Sequence, residues 1–198
     1  MPREHNTNNE DMPQLPEVAI ILAGIGASSL EKTEDSVQEQ SYKNVTVFQS
    51  KDSPVTSFFN NMNKAHKIYG LMSAGDTFAS NDSLRDIVDK LLENKFIGGV
   101  YGDACVSKDG LTQEFYLPPH DHRTFSGLTG AFPVFFKLEA MQDNTLDENL
   151  KYLYGHDILV KISSSFIVSH MPKLLFNLTS KQVDIEEDAN YLRNNNVS

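Results

Sequence analysis

The chain has 198 residues and a formal net charge of −10, with 27 acidic residues against 17 basic ones. That length fits one domain of ordinary size, with or without tails. The acidic balance, with no dense run of Lys and Arg, argues against a nucleic-acid backbone or an anionic membrane as the principal partner. One cysteine, Cys105, excludes an internal disulfide and any CxxC metal site, and reads as a small buried apolar residue.

In chain order, residues 1–16 read as a polar, proline-containing disordered arm with no signal-peptide apolar stretch. The run "VAIILA", Val18–Ala23, predicts a buried strand and is far too short to span a bilayer, so a cytoplasmic protein with no membrane span is expected. "SLEKTEDSVQEQ" predicts a helix capped by Ser28 or Ser29, and "NVTVFQS" a second strand. "PVTSFFNNMNKAHK" predicts a short helix with Pro54 in its first turn, and "IYGLMS" a third strand. In "SNDSLRDIVDKLLENK", Leu84, Ile87, Val88, Leu91 and Leu92 share one helical face, with Asn81 or Asp82 as cap. "FIGGVYGDACVS" predicts a strand that pairs across "KDG" with "LTQEFYL" as a hairpin. "GAFPVFFK" is a further strand, "YGHDILVKISSS" a helix and "FIVSHM" a last strand. Residues 180–198 form an acidic, asparagine-rich tail, which leaves a folded body over 17–179. Strands alternating with helices predict an α/β fold whose mostly parallel sheet has helices on both faces. In such sheets ligands sit beyond the carboxyl ends of the strands.

The first strand ends in "AGIGASS", which admits three readings. A dinucleotide fingerprint lacks its third glycine and a ribose-binding acid after the second strand. A sugar-nucleotide pyrophosphorylase loop, resembling LAGGxGTRL, would have Ile25, Ala27 and Ser29 in place of two glycines and the triphosphate-binding arginine. The third reading rests on the segments C-terminal to this turn. "DSVQEQSYKNVTVFQSKDS" resembles the family-2 type of glycosyltransferase, with Ser36, Gln40, Tyr42 and Asn44 at its spacing and Asp52 on the second acid of its DDGS element. "IYGLMSAGDTF" resembles that family's metal-binding DxD region, "VYGDACV" its IYGD strand, and "FPVFFKLEAM" with "LDENLKYLYGHDILVKIS" its closing segments. The five pieces keep their order from Val18 to Leu178.

The resemblance implies a GT-A type fold and an inverting transfer of sugar from a nucleotide-sugar donor to a hydroxyl acceptor. Such a transfer needs positive charge on the departing diphosphate and a carboxylate to take the acceptor proton. It implies donor contacts at Ala23, Gly24, Asp52 and Asp103. It implies Mg or Mn held by Asp76, with His170 completing the site, and Asp157 as the base. Each residue also has a plain structural reading: Asp76 and Asp52 as turn residues, Asp103 at a strand end, Asp157 as a helix cap, and His170 as an ordinary strand histidine. His120 and His122 have a His-x-His spacing without a third ligand. Two departures support a rival, non-enzymatic binding or scaffold domain. One acid stands where DxD has two, and "SFFNNMNKAHK" lacks the arginine of the family's ARN segment, leaving only Asn60, Asn61 and Ala65 of it.

Overall fold

A continuous apolar run must be covered on both sides, and β1 (Val18–Ala23) sets the plan of the molecule. The structure, a computed structural model, describes residues 15–24, 27–50, 54–108, 111–119, 133–141, 143, 145–150 and 153–179. After β1 come α1 (Ala27–Gln38), β2 (Val45–Gln49), α2 (Val55–Asn61), β3 (Ile68–Ser73), β4 (Thr77–Phe78) and α3 (Ser83–Glu93). The rest of the chain forms β5 (Ile97–Lys108), β6 (Leu111–Phe115), β7 (Val134–Lys137) with a 3-10 turn at Leu138–Ala140, α4 (Tyr154–Ser163) and β8 (Ile167–Thr179). The sheet order is β2-β1-β3-β7-β5-β8-β4, with β6 added to β5. β1, β2, β3, β5 and β8 point one way, and β4, β6 and β7 run opposite. The sheet is thus mostly parallel, with the expected β5–β6 hairpin on its side.

The two-residue period of the strands divides the core. Val18, Ile20 and Leu22 face one layer, where Leu84, Ile87, Val88 and Leu91 of α3 cover Met72, Val100 and Phe135. Ala19 and Ile21 face the other, where Phe59 of α2 and Ile158, Leu159 and Ile162 of α4 cover Tyr69, Leu71 and Phe136. The four α3 side chains alone are worth roughly 6–12 kcal/mol of gross burial, before the entropy of ordering them.

Several expectations change. Ser28 and Ser29 lie inside the first turn of α1 rather than before it. Asp82 is the N-cap of α3 but makes no side-chain cap bond, because Gln40 Oε1 accepts the Leu84 N–H at 2.9 Å instead. Leu92 sits at the border of the α3 stripe and is 47% exposed. The last strand is also longer than "FIVSHM". Pro172 has no N–H to pair, which masks the continuation in the sequence. The strand absorbs it as a bulge, where the register jumps from Gly102↔Met171 to Asp103↔Leu174, and goes on to pair with β4. Cys105 is half-buried rather than buried.

The body also reaches back further than residue 17. The Tyr42 hydroxyl donates to the Pro16 carbonyl, and Asn44 Nδ2 donates to the Leu15 carbonyl at 2.8 Å. Removing residues 1–13 and 181–198 is expected to leave the melting temperature unchanged. Cutting on to residue 16 leaves the largely buried Tyr42 hydroxyl without its acceptor, which costs about 1–3 kcal/mol. Equal melting temperatures for the two N-terminal cuts would show that Leu15 and Pro16 hold nothing.

Candidate active site at the carboxyl edge of the sheet

One stripe of α1, continued by Gln40 just past its end, is buried and polar. Thr33, Ser36 and Gln40 recur at near-helical spacing and point at backbone rather than water. Thr33 Oγ1 accepts the Gly75 N–H at 2.8 Å, and Ser36 Oγ accepts the Phe78 N–H at 2.8 Å. Gln40 accepts from Leu84 N–H and donates to the Ser80 carbonyl at 2.9 Å. This stripe thus satisfies backbone groups along the segment 75–84 that the sheet ladder leaves over. The residues that carry the family spacing are clamps: Ser36 and Gln40 hold this segment, and Tyr42 and Asn44 hold Pro16 and Leu15.

That clamp fixes the turn after β3. The Ala74 N–H donates to the Ala23 carbonyl at 2.7 Å, joining the ends of β1 and β3. Gly24 comes next at φ +117° and Gly75 at φ +96°, both left-handed conformations that favour glycine. At Gly75 space is also short, since a Cβ would lie 2.6 Å from Thr179 Oγ1. The Asp76 N–H closes the turn onto the Ser73 carbonyl at 3.0 Å. Asp76 is 4% exposed, and its Oδ1 accepts the Thr179 N–H at 3.0 Å. From the other layer, Tyr154 at the start of α4 brings its hydroxyl 3.3 Å from Ser73 Oγ. Burial, and then the nearby Asp76 charge, push the Tyr154 phenol up to about 12. It is a neutral hydroxyl at any physiological pH.

Asp157 lies one turn further along α4 and is 4% exposed. Its Oδ2 accepts the Asp147 N–H at 2.9 Å and pairs with Lys161 Nζ at 3.1 Å. Lys161 also donates to the Thr145 carbonyl at 2.8 Å, so the pair fastens the segment before α4. Burial raises the Asp157 pKa, and the Asp147 amide and Lys161 only partly oppose it. Asp157 Oδ1 takes no hydrogen bond from the described residues.

Asp103 and His170 form a second buried pair, with His170 Nε2 2.8 Å from Asp103 Oδ1. The same oxygen accepts the Leu117 N–H at 2.9 Å. The Tyr101 ring lies 5.1 Å from the imidazole, and its hydroxyl donates to the Pro118 carbonyl at 2.6 Å. This group anchors the chain leaving β6. It also separates two expected metal ligands. His170 stands in register with Tyr101, while Asp76 is bonded to Thr179, nine residues on along β8. The same span covers six residues of β5, Tyr101 to Ser107, roughly 20 Å of strand and too far for one cation. His170 therefore cannot complete a metal site with Asp76. Asp52, His120 and His122 lie outside the described residues, and among the described residues no three His, Cys, Asp or Glu side chains cluster as a metal site.

No family model matches the sequence, and no curated protein matches it. Solved structures do match. The S. aureus TarS fragment 1–349 in complex with UDP aligns with TM-score 0.63 at 12% identity, over 89% of this chain and 63% of that one. The same fragment with UDP-GlcNAc aligns with TM-score 0.61 at 10% identity, over 85% and 60%. The mannosyltransferase PcManGT from Pyrobaculum calidifontis, in complex with GDP-Man and Mn2+, aligns with TM-score 0.57 at 14% identity, over 90% and 61%.

The fold is that of the GT-A glycosyltransferases. The chain spans less than two thirds of the length of these structures. No helix among the described residues is long and apolar enough to cross a membrane. In this GT-A fold Ala23, Gly24, Ser73 and Asp76 gather at the carboxyl edge of β1 and β3. Ser73 and Tyr154 join the sequence-predicted set. Sequence reading missed them because their contact spans 81 residues and involves two unremarkable hydroxyls.

Proposed function

We propose that the chain binds a nucleoside-diphosphate sugar across the carboxyl edge of β1 and β3 and transfers the sugar to a hydroxyl acceptor. The observation that carries this is the built turn 73–76. Two left-handed glycines bring backbone to the edge, and a buried carboxylate and a neutral tyrosine hydroxyl stand beside it. The GT-A fold supports the ligand class, since the matched structures hold UDP, UDP-GlcNAc or GDP-Man.

Asp76 is the residue to hold a divalent cation. Mg or Mn is commonly bound by one or two carboxylates, with phosphate oxygens and water filling the octahedron, so a single acid suffices in kind. When bound, the cation would supply positive charge against the diphosphate. Ser73 and Tyr154 are placed to hydrogen-bond a phosphate or sugar oxygen. Asp157 serves as the base in this reading: one oxygen is fixed, the other receives no bond from the described residues, and the raised pKa favours taking a proton.

A second reading is favoured by one observation. Asp157 is enclosed and paired with Lys161, as a purely structural clasp would be. The domain would then bind donor without transferring it. The experiment is a melting-temperature screen of UDP- and GDP-sugars with and without Mn. A donor at about 100 times its Kd stabilises by about 2.7 kcal/mol, a rise of roughly 5–10 °C for a domain of this size. No shift with any donor overturns both readings, and a shift without turnover leaves the second.

A further inference from the structure

The end of the molecule away from the β1–β3 turn carries chemistry that donor binding does not use. A cleft of about 560 Å³ opens where β3 begins and β7 ends, lined by Lys64, His66, Lys67 and Lys137, with Glu139 as the acid among them. Ile68, Leu92 and Leu138 supply an apolar wall. Three ammonium-bearing side chains line this cleft in a chain of net charge −10.

The ammonium groups of Lys64 and Lys137 are positioned rather than loose. Lys64 Nζ lies 4.9 Å over the Phe59 ring and donates to the Asn60 carbonyl at 3.2 Å. The Lys67 carbonyl accepts the Leu138 N–H at 2.9 Å, tying the approach to β3 to the end of β7. His66 sits edge-on to Phe48 and Tyr69, with Nδ1 3.2 Å from a Glu17 oxygen. Lys137 is 7% exposed, and its ammonium donates to the Asn94 carbonyl at 3.2 Å. Burial lowers the Lys137 pKa, with Glu139 too weak an opposing influence. A buried ammonium held by one carbonyl gains strongly from an anion.

We propose that this cleft is an anion site that takes a phosphate group, separate from the donor edge. Lysines act as compact point charges that suit a phosphate, with no arginine fork to select a planar carboxylate. The apolar wall accepts the organic part of a phosphate ester. That ester is either a soluble metabolite or a lipid headgroup.

The test uses the full chain labelled with 15N, titrated with inorganic phosphate against chloride at constant ionic strength. Saturable shifts are expected at the amides of Lys64 to Ile68 and Lys137 to Glu139. The double substitution Lys64→Gln/Lys67→Gln, which leaves buried Lys137 untouched, should weaken binding about tenfold or more by removing two charge-assisted contacts. Sedimentation with phosphatidic-acid vesicles, lost in the double variant and absent with phosphatidylcholine alone, would assign the phosphate to a lipid. Saturable phosphate binding without vesicle binding would assign a soluble ester. Equal affinity in the double variant overturns the site, as do shifts that fail to saturate. Phosphate shifts confined to Gly24 and Ser73 also overturn it while leaving the donor reading intact.

Discussion

Asp157→Asn is expected to reduce sugar transfer by roughly 10²–10⁴-fold, because a hydroxyl acceptor is a poor nucleophile without a base. Donor affinity should stay at the parent value, since the base meets the acceptor and not the diphosphate. The variant loses the ion pair to Lys161, whose side chain is 27% exposed and keeps the Thr145 carbonyl. The raised pKa is the net of burial against that pair, so the ionised carboxylate is on balance disfavoured and its neutral isostere should melt close to the parent. An acid whose pKa is raised in the folded state contributes stability when protonated, and that contribution is lost as pH rises through the folded pKa. Transfer runs the other way, failing as pH falls through the same value, so its acid limb should lie above that of an ordinary aspartate. Lys161→Met separates the roles. It leaves the buried carboxylate unpaired, so it should lose more stability, about 3–5 kcal/mol. It should retain transfer with the acid limb moved still higher, since Lys161 is one of the groups that hold the Asp157 pKa down. If Asp157→Asn transfers sugar at the parent rate, Asp157 is a clasp and not the base.

The features legible in the sequence were those that repeat with a short period. The two-sided apolar run of β1 and the Leu84, Ile87, Val88, Leu91 stripe of α3 announce buried strand and amphipathic helix because their burial is dictated by neighbours in the chain. Gly24 was legible as a turn for the same local reason, and it has the positive φ such a turn needs. The polar stripe Thr33, Ser36 and Gln40 shows the limit. Its spacing is visible, but its task is to satisfy N–H groups some forty residues later, which only the tertiary fold defines. The pairs Ser73–Tyr154 and Asp103–His170 are likewise non-local, 81 and 67 residues apart. His170 looked like a free strand histidine suited to a metal, whereas the fold turns it onto Asp103. Pro172 misled in the other direction: its local rule says that a strand stops, and a bulge lets the strand continue to the residue that holds Asp76.

The same long-range bond shapes the expected result for Asp76→Asn. An asparagine keeps an oxygen that can accept the Thr179 N–H, so the turn 73–76 and the end of β8 should remain in place. The substitution removes the charge. A hard cation needs that charge, so the Mn-dependent part of nucleotide affinity should fall about tenfold or more. The measurement is a pair of UDP and GDP titrations of parent and variant, each with Mn and with chelator. A parent affinity that depends on Mn, joined to a variant affinity that does not, supports Asp76 as the anchor of the cation. Equal affinities in all four conditions would sink the metal role. The diphosphate would then be held without a cation, and the buried Asp76 would serve to fasten β8 through Thr179 against the turn after β3.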